Sequence, residues 1–183
     1  MDVDWILHFK DLSIAIAALT TSVGAVVGYT QWRKELTGNA RFKVANDLLK
    51  ATYILRDEIK AFRSKIFLSV EDGREIDDLI KRWSQIVDAE KKFNAQKIEA
   101  ECFWGTEIVT TADKLTECVN DLDSAVSAKI ADIQSGGENF KFDKRFAKKT
   151  KWTLFRDLDE QDELNKKIDA AVKSIKDKLE LYV

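Results

Sequence analysis

The residues of this chain best suited to chemistry are few, and most lie in one segment, Phe140-Lys-Phe-Asp-Lys-Arg-Phe-Ala-Lys-Lys-Thr-Lys-Trp152. Lys141, Lys144, Arg145, Lys148, Lys149 and Lys151 stand against a single carboxylate, Asp143, and alternate with Phe140, Phe142, Phe146 and Trp152. Cations interleaved with aromatic rings can hold phosphate oxygens while the rings stack on bases or enter a headgroup layer. The six cations and Trp152 are therefore the candidate anion- or headgroup-binding residues. The competing reading, which the composition favours, is an exposed basic connector whose aromatics cover the end of a bundle. A second basic set, Arg56, Lys60 and Arg63 with Lys65, lies near Tyr53 and Phe62. Spacing of i, i+4 and i+7 puts its first three members on one helix face, where Asp57 and Glu58 suggest ordinary ion pairs.

Catalysis finds little support. Nucleophilic chemistry needs an imidazole in reach of a Cys or Ser, and His8 is the only histidine. Two cysteines and one histidine do not make an ordinary zinc site, and no paired Glu-x-x-His, P-loop, GxGxxG or HExxH occurs. The expectation is a protein that is not an enzyme and carries no cofactor or metal. A net charge of −2 and a pI near 5.6 argue against general nucleic-acid binding through bulk charge.

The elements that position these residues follow from an absence. The chain has 183 residues and no proline, where average usage would give roughly nine. Proline inside a helix costs ~3 kcal/mol, so its absence fits long uninterrupted helices. Residues 12–29 contain no charge. Extended to Trp32, the run makes about 31 Å of helix, which matches a ~30 Å hydrocarbon core. Asp11 closes it on one side and Arg33-Lys34 on the other, with Trp5, Phe9, Tyr29 and Trp32 at the two ends where interfacial aromatics belong. The reading is a transmembrane helix over 12–32. Five cations lie between Thr30 and Lys50, against Lys10 alone in the first eleven residues, so the positive-inside rule places residues 1–11 outside and the residues after the membrane helix in the cytoplasm. In that compartment Cys102 and Cys118 stay reduced and act as packing residues. Thr20, Gly24 and Gly28 form a row of small residues at four-residue spacing, with Ser13, Ala17 and Thr21 as a second, and such rows favour self-association in a bilayer.

Thr37-Gly38-Asn39 reads as a hinge, with 33–39 as the junction to a cytosolic domain over 40–183. Helical periodicity then marks 40–68, 74–104, 106–134 and 154–181, separated by turns at 69–73, 105–106 and 135–137. The stripes include Phe42, Leu48, Leu55, Ile59, Leu79, Ile80, Ile98, Leu115, Leu122, Leu158, Ile168 and Ile175. The fold class is all-α: one N-terminal transmembrane helix followed by a cytosolic antiparallel bundle of about four long helices.

The junction Tyr29…Trp32-Arg-Lys-Glu-Leu36, followed by Ala45-x-x-Leu-Leu-Lys-Ala-x-Tyr53-x-x-Arg-Asp-x-Ile-x-x-x-Arg63, resembles a broad set of uncharacterised bacterial membrane-anchored helical proteins. The resemblance covers about residues 12–67. It departs from the pattern after Arg63, where Ser64-Lys65 stands in place of a frequent proline. It implies a single-pass protein of the bacterial inner membrane with a cytosolic helical domain, and it brings no activity and no catalytic residues. Two functions fit these features. One is a membrane-anchored interaction or scaffold protein that self-associates through its membrane helix and meets a cytosolic protein partner. The alternative is a membrane effector of a bacterial signalling or antiviral defence system, sensing an anionic, nucleotide-like small molecule and perturbing the membrane.

Overall fold

The structure is a computed structural model. It describes residues 3–65, 75–155 and 162–180, with side chains at Thr21 and from Gly24 onward, Lys65 apart. Two compact units divide the chain, Met1–Phe42 and Lys43–Val183.

The described residues of the first unit are all helical, part of α1 (Val3–Lys65). The apolar run 12–32 is thus helical along its whole length. The side chains of Trp5, His8, Phe9, Ser13, Ala17 and Thr20 lie outside the described residues. Among the described residues no helix is long and apolar enough to cross a membrane. The expected hinge at 37–39 does not form, because α1 passes through it unbroken. The Thr37 Oγ1 donates to the Arg33 carbonyl at 2.9 Å, inside the helix. A glycine in a helix interior costs only ~1 kcal/mol relative to alanine, too little to end a helix between good helix formers. Every residue from Gly24 to Lys43 is exposed.

The second unit has an all-α core. Its long helices are the 43–65 stretch of α1, α2 (Glu75–Trp104), α3 (Thr106–Gln134) and α6 (Glu163–Glu180), with two short helices, α4 (Glu138–Phe142) and α5 (Lys144–Leu154), between α3 and α6. No strand occurs among the described residues. Each long helix buries one apolar stripe, as a 3.6-residue period requires. On α1 the stripe is Val44, Leu48, Leu55, Ile59 and Phe62, and on α2 it is Leu79, Ile86, Phe93 and Ala100, every seventh residue. That heptad stripe leaves Ile80 and Ile98 exposed, contrary to their expected burial, and Phe42 is likewise exposed. α3 packs against α2, α5 and α6 and forms the middle of the unit.

Ion pairs fix the register. Glu75 with Lys129 and Lys97 with Asp113 set α2 antiparallel to α3. Glu107 with Lys178 and Asp121 with Lys167 do the same for α3 and α6. Lys60 reaches Asp169 at 2.7 Å, and Arg63 reaches Asp162, so α1 and α6 also run antiparallel.

Two of the breaks, at 105–106 and 135–137, fall at the expected glycine turns. Gly105 has φ 66° and ψ −163°, a conformation essentially reserved for glycine. After α3, the Gly137 N–H donates to the Asp132 carbonyl and the Gly136 N–H to that of Ile133, a Schellman closure with both glycines at positive φ. The expected turn at 69–73 and Leu158 lie outside the described residues. The helix expected over 154–181 begins instead at Glu163, since Leu154 ends α5.

Candidate functional site

The basic-aromatic segment is helical rather than a connecting loop. Asp132, buried at the end of α3, accepts the Phe140 N–H on its Oδ1 at 2.9 Å and so starts α4 beside α3. Asp143 then separates α4 from α5 and caps the latter, its Oδ1 accepting the N–H groups of Arg145 and Phe146 at 3.0 Å each. An acidic N-cap satisfies two orphan donors and suits the positive end of the helix dipole. This local carboxylate is therefore engaged with backbone.

α5 is amphipathic. Thr150 and Leu154 are buried and Ala147 half-buried, while Lys144, Lys148 and Lys151 form one outward row. Arg145 and Lys149 form a second, and Trp152 extends both at helical spacing. All six candidate cations are exposed, Lys141 included. Trp152 is 60% exposed, with the Lys148 ammonium 4.6 Å from its ring centre. Phe146 packs edge-on against Phe140 at 6.2 Å, and Phe142, at the end of α4, is 96% exposed. None of the six cations makes an ion pair among the described residues, whereas Arg56, Lys60, Lys97, Lys129 and Lys178 all do. Below this surface lies an open groove of ≈340 Å³, walled by Phe140, Ala147, Leu154 and Phe155 and rimmed by Lys129, Lys148 and Lys151.

No protein-family model, curated protein or solved structure matches this chain. The site is therefore read from its own geometry.

The second basic set separates. Arg56 pairs with its neighbour Asp57 at 2.7 Å and stacks over Tyr53, and Lys60 pairs with Asp169. Arg63 belongs to no ligand surface, because it is 0% exposed. The last carbonyls of α5 and the start of α6 close over this end of α1. Its Nε donates to the Thr153 carbonyl, its Nη2 to those of Trp152 and Phe155, and its Nη1 to Asn165 Oδ1, all within 3.0 Å. Asp162 takes both Nη groups at 3.0 Å and also accepts the Asn165 N–H on Oδ1, capping α6. Arg63 thus satisfies the orphan carbonyls that end α5 and fixes where α5 presents Trp152. No local pattern in the sequence signals this burial, because the partners lie about ninety residues away or more.

Small-residue and thiol positions complete the inventory. Gly24 and Gly28 are exposed, and a Cβ at either would meet nothing within 4 Å. Cys118 is buried, and that burial pushes its thiol up to about 11, which leaves it a packing residue. Cys102 is exposed, so it does not pack as expected. Among the described residues no group of His, Cys, Asp or Glu could hold a metal ion.

Proposed function

We propose that this chain is a membrane-anchored helical interaction module, held in the bacterial inner membrane by residues 12–32 and presenting its helical bundle to a cytosolic protein partner. One observation carries the reading. In the first unit no described side chain is buried, and Val26, Val27, Tyr29, Trp32 and Leu36 are each at least half exposed along α1. Such a run of apolar surface needs lipid or protein to cover it. The uncharged stretch that contains all of these but Leu36 has bilayer length and ends on Arg33-Lys34, which favours lipid and a cytosolic bundle. In this reading Thr20, Gly24 and Gly28 form the contact between membrane helices, and no residue is assigned to catalysis.

Fractionation of bacteria expressing the full chain tests the anchor. The protein is expected in the membrane pellet after both high-salt and alkaline carbonate washes. Release into the carbonate supernatant overturns the reading.

A further inference from the structure

We infer that the outward face of α5, flanked by Phe142 and Trp152, docks on an anionic phospholipid surface. The inference deepens the anchored reading, since the anchor supplies the nearby bilayer.

Charge complementarity decides the occupant. Six of the chain's 30 cations lie between Lys141 and Lys151, and 31 of its 32 carboxylates lie elsewhere. The rest of the chain is therefore net negative, and the α5 face, with five of these six cations, offers a concentrated positive charge. Its cations lack ion pairs among the described residues, and Asp143 is occupied as the α5 cap. The arrangement matches a plane better than a point. Lys144 to Lys151 spread along a helix about 16 Å long instead of converging on one centre. Exposed rings of Phe142 and Trp152 stand just beyond the two ends of that row, where they can enter the interfacial layer while the ammonium groups meet phosphates. The buried Arg63 holds the Trp152 backbone and so keeps this face in a fixed presentation.

The test uses the full chain in nanodiscs of phosphatidylcholine alone or enriched in phosphatidylglycerol, read by amide hydrogen exchange. Exchange within α5 is expected to slow about tenfold in the anionic discs, with α2 and α3 unchanged. The protection should vanish at ~1 M salt, where the Debye length falls to ~3 Å, and in the K144E/K148E/K149E variant. Those side chains are exposed and the added carboxylates lie in or near the first turns of α5, so the variant keeps its helix. Equal α5 exchange in the two discs overturns the inference. So does equal protection by ATP in phosphatidylcholine discs, which would assign the face to a soluble anion. A chain that does not enter discs refutes the anchor instead; cosedimentation with phosphatidylglycerol vesicles, lost in the variant, then supports the face and its absence refutes it.

Discussion

Arg63 and Asp162, nearly a hundred residues apart, form a two-pronged pair with Nη1–Oδ2 and Nη2–Oδ1 both at 3.0 Å. Arg63 has no exposed surface and the Asp162 side chain is 7% exposed. Together they join the end of α1, the last turn of α5 and the first turn of α6. Burying a guanidinium is costly unless its donors are filled, and here carbonyls, an amide and a carboxylate fill them.

Removing one partner leaves the other charge buried and unpaired. Arg63→Ala is expected to lower the unfolding free energy by about 3–5 kcal/mol, and Asp162→Ala by a similar amount. The double variant should cost less than their sum, because each single change already breaks the shared network. Arg63→Lys should recover little, since an ammonium cannot reproduce the fork to Asp162 and three carbonyls. Urea denaturation of the four variants checks this, with an additive double variant as the result that contradicts coupling.

The two thiols differ in exposure, and so should their reactions. A maleimide at pH 8 is expected to label one thiol per folded chain, lost in Cys102→Ser and retained in Cys118→Ser. Cys118 should react only after denaturation. Its folded pKa, about 11, lies above the ordinary 9.0, chiefly through burial. The stability it contributes is thus full below about 9 and lost as pH rises towards 11. Wild type should therefore lose stability more steeply than Cys118→Ala across that window, measured by denaturation at stepped pH. Parallel pH profiles would refute the assignment.

Much of the second unit was legible because its signals are local. The apolar periods of α2, α3 and α6 and the glycines at 105, 136 and 137 report backbone demands that one residue or one helical turn expresses. Gly38 misled for the same reason. A lone glycine signals a turn, yet its weak penalty yields to helix formers on both sides, and α1 continues. The candidate site was legible in composition but not in form. Six cations in a row of aromatics read as a connector, whereas the cap at Asp143 and the inward Ala147, Thr150 and Leu154 make it a helix with one charged face. Arg63 was misplaced because its burial depends on Asp162 and the α5 carbonyls, partners about ninety residues away or more that no local pattern reports.

The row Thr20, Gly24, Gly28 supplies the last expectation. Small residues four apart let two membrane helices approach until backbones touch, and bulky side chains there prevent it. In α1 by itself, a Cβ at Gly24 or Gly28 would meet nothing within 4 Å among the described residues, so the helix has room for a side chain to begin at either position. Leucine also favours helix over glycine by up to ~1 kcal/mol per residue. Gly24→Leu/Gly28→Leu should therefore keep α1 and the bundle folded while weakening self-association in micelles by tenfold or more, on the order of 1.4 kcal/mol. Sedimentation equilibrium in density-matched detergent reads the mass, and circular dichroism confirms the retained helix. An unchanged association constant with full helix content would show that this row is not the contact between copies, while leaving the anchor untouched.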